Sequence, residues 1–116
     1  MESGGEGPVY MLVIGQVHDG DKMQVYAKAI RDHLLYEQEQ GYYTAIGKPV
    51  EMFEGEWPGN QSVVLARFPS RAHAQRFWYS DAYQNQVKPL REGAGDFTVA
   101  VFDEMPAPER IEWDRP

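Results

Sequence analysis

The amino-acid sequence predicts an α+β fold of the ferredoxin-like, split βαβ kind, and three observations carry the prediction. Its apolar residues fall into six blocks whose spacing reads strand, helix, strand, strand, helix, strand. Its 116 residues fit one compact domain. Three of the four strand blocks are apolar at nearly every position, the pattern of strands covered on both faces. Right-handed crossovers then place both helices on one face of a four-stranded antiparallel sheet.

Residues 1–8 are Gly-rich and acidic and are expected to form a flexible arm, because they hold too little apolar surface to offset the entropy of ordering them. Val9 to Val17, almost all apolar, is the first strand. His18-Asp19-Gly20-Asp21 breaks it, and Asp19 or Asp21 can cap a helix by accepting from the free amides of its first turn. From Lys22 to Gln40 the apolar positions Met23, Ala27, Ile30 and Leu34 recur three or four apart between charged residues. That spacing predicts one amphipathic helix, ended by a left-handed Gly41.

Tyr42 to Ile46 and Val50 to Glu54, separated by Gly47-Lys48-Pro49, predict a bent strand or two short strands around a kink, since Pro49 cannot donate to a ladder. A turn over Glu56 to Gln61 leads into a strand from Ser62 to Phe68. Ser70 caps the second helix, with Ala74, Phe77 and Trp78 on its buried stripe. Ser80-Asp81 recaps it, and Tyr83, Val87 and Leu90 continue the helical spacing until Pro89 and Gly93 end it. Phe97 to Phe102 is the last strand of a domain spanning residues 9–104, and the Pro-rich residues 105–116 form a tail without periodicity.

Eighteen acidic against eleven basic side chains give a formal net charge of −7. Such a balance repels phosphate backbones, so no nucleic-acid partner is expected. The longest apolar stretch, Val9 to Ile14, is too short to cross a bilayer and the start lacks a basic segment, so no membrane or export role is expected. With no cysteine, disulfides, thiolate metal sites and cysteine nucleophiles are excluded, and a cytoplasmic location is the expectation. Nucleotide-binding glycine loops and the GxSxG elbow are missing, and His18, His33 and His73 form no metal-ligand spacing; neither a cofactor nor a metal is expected.

Two helices on one sheet face leave the other face bare. Val13, Ile14 and Val17, then Val63, Val64 and Leu65, then Val99, Ala100 and Val101 nevertheless make both faces apolar. An uncovered apolar sheet, on the order of several hundred Å², is a sticky patch on a monomer. The expected remedy is a homodimer in which two such sheets face each other.

Val50-Glu51-Met52-Phe53-Glu54-Gly55-Glu56-Trp57, Phe68-Pro69-Ser70, Phe77-Trp78-Tyr79-Ser80-Asp81-Ala82-Tyr83-Gln84 and Pro89-Leu90-Arg91 run in an order and spacing that resembles the DUF1330 family, a domain of unknown function. The likeness extends from about Tyr10 to Glu104. It implies the dimeric α+β barrel superfamily, a homodimer, and a small-molecule pocket beside the sheet of each subunit. The wider superfamily includes cofactor-independent quinol monooxygenases, muconolactone isomerases and haem-dependent enzymes. Family members often carry arginine where this chain has Tyr42 and Ile46, and glycine where it has Lys48; the absence of those arginines tells against a carboxylate substrate.

His33 and His73 lie among charged neighbours and read as solvated. His18 ends a strand, where a side chain can project into a cleft with a pKa suited to proton transfer. Glu51 and Glu54, three apart in a strand, fall on opposite faces; one enclosed by Phe53, Trp57 and tyrosines would have its pKa raised into the range of a neutral-pH acid or base. Arg67 shares a face with Val63 and Leu65 and must find a carboxylate, a partner subunit or an anionic ligand. Arg91 can brace a helix end by bonding its carbonyls or contact an acid, and bracing is the favoured reading.

The expected function is binding of a small aromatic or keto metabolite, with cofactor-independent isomerisation, cyclisation, elimination or, less favoured, oxygenation. The expected catalytic residues are His18 or Glu51 as acid or base and Arg67 for developing negative charge. Tyr10, Tyr26, Tyr42, Glu54, Trp57 and Trp78 are the expected substrate contacts. The competing expectation is a non-catalytic binding or assembly protein of the same fold.

Overall fold

The computed structural model describes residues 7–106. The expected arm up to Glu6 and the expected tail beyond Pro106 lie outside the described residues. The elements are β1 (Val9–Val17), α1 (Gly20–Asp32), a single turn α2 (Leu35–Gln38), β2 (Tyr42–Gly47), β3 (Gln61–Phe68), α3 (Arg71–Tyr79) and β4 (Gly95–Asp103). Between α3 and β4 runs a wide π-helical segment, Ala82–Val87, closed by a 3₁₀ turn, Lys88–Arg91. The sheet is antiparallel in the order β2-β3-β1-β4, which is the ferredoxin-like topology.

Register assigns the two faces. Val13 stands between Val64 and Val99, and its neighbours Val9 and Met11 are buried with Ala66 and Phe68 beneath the helices. Ile30, Leu35, Tyr36, Ala74, Phe77, Tyr83 and Val87 complete this core. The alternate residues Tyr10, Leu12 and Ile14, with Val63, Leu65 and Ala100, occupy the face no helix covers, and all are only half-buried.

Four local expectations are corrected. The helix expected to run from Lys22 to Gln40 ends at Asp32, because Leu34 adopts a left-handed φ of 53°. Six residues at about 100° each would put Tyr36 about 120° around the helix from buried Ile30. The break instead returns Tyr36 to the core, stacked on Phe77 at 4.5 Å and on Phe68 at 5.7 Å, while Leu34 is left exposed. Asp19, of the two offered caps, accepts from the Lys22 amide.

The left-handed residue before β2 is Gln40, at φ 60°, rather than Gly41. Gly41 is needed for space: a Cβ there would stand 2.5 Å from the Phe68 ring. Val50 to Glu54 is loop and not strand. Gly47 at φ 111° turns the chain out of the ladder, Pro49 lacks a donor, and Val50 and Phe53 are fully or almost fully exposed.

The last correction sets up the site. The expected stripe Tyr83, Val87, Leu90 is in fact Tyr83, Val87, Arg91. The buried positions fall four and again four residues on, the first step inside the π segment and the second through the 3₁₀ turn Lys88–Arg91. Leu90 turns outward and Arg91 turns inward.

Candidate functional site

Under α1, the covered face of the sheet does not close completely. A cavity of about 110 Å³ is floored by Val13, Gly15, Ser62 and Val64, roofed by Met23, Tyr26 and Ile30, and closed at its ends by Tyr36, Tyr43, Phe97 and Arg91. Gly15 makes the floor possible, because the Phe97 ring lies across it where any Cβ would collide. A bulge at Thr44, whose hydroxyl donates to the Leu65 carbonyl at 3.0 Å, restores the register that points Tyr43 inward.

The chemistry of this cavity lies in Tyr26 and Arg91, which line it, and in Tyr83, fully buried behind Tyr26. The hydroxyls of Tyr26 and Tyr83 are 2.7 Å apart, with their rings edge to face. Burial pushes the Tyr26 phenol far above its ordinary pKa, and the Tyr83 phenol beside it adds to the rise. Burial raises Tyr83 too, against the bond from Tyr26 and the positive charge of Arg91 beside its hydroxyl. Tyr83 is therefore the phenol whose ionised form the site disfavours less.

Arg91 is 8% exposed, and no carboxylate among the described residues pairs with it. Its guanidinium carbon lies 4.4 Å from the centre of the Phe97 ring and 5.4 Å from that of Tyr26. The backbone around it is pinned. Ala94 donates to the Arg91 carbonyl at 2.9 Å, while the amides of His18 and Asp19 both donate to the Ala94 carbonyl and Lys22 Nζ donates to that of Glu92. No fully buried side-chain nitrogen or oxygen among the described residues lacks a partner, so the free guanidinium donors face open space. Outside Arg91 and Phe97 lies a polar cleft of about 390 Å³, lined also by Gln84, Lys88, Glu92 and Gly95.

The residues expected from sequence are scattered by comparison. Arg67 and Tyr10 lie at one end of the uncovered sheet face and His18 ends β1 at the other, eight residues or about 26 Å along the strand from Tyr10. Arg67 holds Glu104 by two bonds of 3.0 and 2.9 Å, and Tyr10 donates to the same carboxylate at 2.9 Å. The Arg67 bonds, then the Tyr10 bond, hold the Glu104 carboxyl below its usual pKa. Arg67 thus has the carboxylate partner that its strand position demands. His18 Nε2 is 3.0 Å from Asp96 and largely exposed.

The enclosed glutamate does not form. Glu51 and Glu54 are exposed in the loop after β2, and Phe53, expected as a wall, is 93% exposed. Trp57 donates to the Gln61 carbonyl at 2.7 Å and lines a separate hollow with Ile46 and Pro49. Tyr42 is exposed on the edge strand. Trp78 lines a second apolar hollow of about 290 Å³ between α3 and β4, with Met11, Ala74 and Val99. Of the expected contacts only Tyr26 reaches the cavity under α1, and Tyr83 joins it to Trp78, whose ring centre is 5.0 Å away.

Sequence reasoning passed over Tyr83 and Arg91. The signal available was the spacing of Tyr83, Val87 and Arg91 at four and four, which places all three on one face of a helix. Among the described residues no group of three His, Cys, Asp or Glu is placed to hold a metal ion, and no helix is long and apolar enough to cross a membrane.

A family model described as a domain of unknown function, DUF1330, matches residues 8–105. Comparison with curated proteins gives no match. Among solved structures, the chain resembles a protein of unknown function from Rhodopseudomonas palustris, with 22% identity, TM-score 0.63, and coverage of 88% of this chain and 85% of that one. It also resembles SnoaB, a cofactor-independent oxygenase from Streptomyces nogalater, with 11% identity, TM-score 0.61, and 90% and 99% coverage. A dimeric ferredoxin-like protein of unknown function from Thermobifida fusca matches at 12% identity and TM-score 0.61, covering 85% of this chain and 93% of its own. At these identities the likeness is one of fold.

Proposed function

The chain belongs to the DUF1330 family, and from that premise we propose that it is a small-molecule-binding homodimer whose cavity under α1 performs cofactor-independent acid–base chemistry on a small keto or aromatic metabolite. Arg91 carries the reading. A buried cation without a counter-ion costs stability, and one kept at the wall of an aromatic cavity suits an anion that arrives with the ligand.

In this proposal a ligand carbonyl oxygen accepts from the Tyr26 hydroxyl, which lines the cavity, while the buried Tyr83 donates to Tyr26 and so strengthens it as a donor. Arg91 stabilises the negative charge that collects on that oxygen as the neighbouring carbon loses its proton. No carboxylate or imidazole among the described residues lines the cavity, so the proton passes to water admitted through the outer cleft. Isomerisation, cyclisation and elimination share this enolate. Oxygenation would add dioxygen to the same electron-rich carbon, and the fold likeness to a cofactor-independent oxygenase supports keeping it in the class. The roles expected for His18, Glu51 and Arg67 pass here to Tyr83, Tyr26 and Arg91.

The lack of a side-chain base at the cavity favours a second reading, binding without catalysis. Proton NMR in heavy water separates the two. Catalysis requires exchange of the hydrogen next to a ligand carbonyl at least tenfold above buffer, and loss of that exchange in Tyr26→Phe. Binding with exchange at the buffer rate would leave only the binding protein.

A further inference from the structure

Arg91 and Phe97 belong to the walls of two compartments at once, the apolar cavity under α1 and the polar cleft outside it. A ligand that meets the guanidinium is therefore divided at that point, one part in each. The outer part lies against Lys88, whose Nζ stands 5.5 Å from the Trp78 ring centre, and the open side of Arg91, with Glu92 the one acid on the cleft wall. The Gln84 amide already donates to the Trp78 carbonyl at 2.8 Å, so it is the two cations that favour an anionic group. The inner part meets methyl groups, rings and the phenols of Tyr26, Tyr36 and Tyr43.

Volume limits the inner part. An apolar cavity of about 150 Å³ holds benzene, six carbons; the 110 Å³ here scales to about four. A phenyl ring is too large, and a two- to four-carbon chain fits. We propose that the ligand is a short-chain monocarboxylic acid of the 2-oxo type, with its carboxylate in the outer cleft at Arg91 and Lys88 and its alkyl end in the inner cavity. The keto oxygen, two bonds from the carboxylate carbon, then falls beside the hydroxyl of Tyr26, whose ring centre lies 5.4 Å from the Arg91 guanidinium carbon. This inference rests on the cavity being the ligand site, as proposed above, and decides between the keto and aromatic classes left open there.

The test is calorimetric titration of the full-length protein with 2-oxobutyrate, phenylpyruvate, butanone and phenol. The expected result is binding of 2-oxobutyrate at least tenfold tighter than the other three. Arg91→Gln should weaken it at least tenfold with partial recovery in Arg91→Lys, and Lys88→Gln, on the half-buried cleft wall, should weaken it about threefold. Equal binding of phenylpyruvate overturns the size limit, and equal binding of butanone overturns the carboxylate. Phenol binding in place of 2-oxobutyrate overturns this inference while leaving the cavity as a ligand site. Binding of none of the four overturns both readings. The comparison among ligands uses the unaltered protein, so it stands even where an Arg91 variant fails to fold.

Discussion

Tyr83 and Glu104 show how single side chains connect stability to protonation. The Tyr83 hydroxyl is the partner of the Tyr26 hydroxyl at 2.7 Å, inside a core where water cannot replace it. Tyr83→Phe leaves the Tyr26 group buried without that partner, and the expected loss is about 1–2 kcal/mol in denaturant titration. Both phenols have pKa values raised by burial, so their contribution is complete below the ordinary tyrosine value near 10 and is lost as pH rises through it; stability should fall in alkali before bulk ionisation of these rings is seen by ultraviolet absorbance. Glu104 runs the opposite way. Its carboxyl is held low by Arg67 and Tyr10, so the stabilisation is present above the ordinary carboxylate pKa and is lost as pH falls through that value and then the depressed one. Glu104→Gln should cost about 1 kcal/mol at neutral pH, and the difference from the parent should vanish in acid melts. Arg67 was legible in the sequence as a charge that needed a carboxylate, but Glu104 was not legible as the answer, since the pair lies 37 residues apart and meets only through β1.

At the scale of elements, boundaries followed local chemistry where the signal was local. β1 begins and ends where its apolar run does, and Ser70 caps α3 by accepting from the His73 amide at 3.2 Å. The break in the first helix followed from a distant demand, the burial of Tyr36 against Phe68 and Phe77. Leu34 is a branched residue held left-handed with its side chain in water, so Leu34→Gly should raise stability by roughly 0.5–1 kcal/mol in thermal or chemical unfolding. Gly41→Ala should lower it by roughly 1–3 kcal/mol, because the new methyl meets the Phe68 ring. The opposite signs of these neighbouring glycine changes distinguish a need for backbone freedom from a need for space. The 3₁₀ turn after the π segment is the element with most bearing on function, since it carries Arg91 rather than Leu90 to the buried position.

For the whole molecule, the uncovered sheet face is the feature on which the proposed homodimer depends. Leu12 and Leu65 are register partners at its centre and only half-buried. Leu65→Glu places a charge there, and the expected outcome is a folded monomer by sedimentation and circular dichroism where the parent sediments as a dimer. A parent that sediments as a monomer at micromolar concentration would remove the dimer from the proposal. The cavity under α1 lies on the other side of the sheet, so the Leu65→Glu protein also reports whether ligand binding requires the second copy.

The sequence alone determined the strand and helix order, the covered and bare sheet faces, and the membership of the family, because each is written in the spacing of apolar residues or in short motifs that act locally. Tertiary structure alone decided which charges met. His18, Glu51 and Arg67 are chemistry one residue at a time, and the fold sends them to separate places; Tyr26 and Arg91 lie 65 positions apart in the chain and close on one cavity, with Tyr83 bonded behind Tyr26. A functional site depends on distances between side chains from different elements, and those distances are set by a 3₁₀ turn, a glycine beneath a ring and a kinked helix whose effects no local spacing rule records.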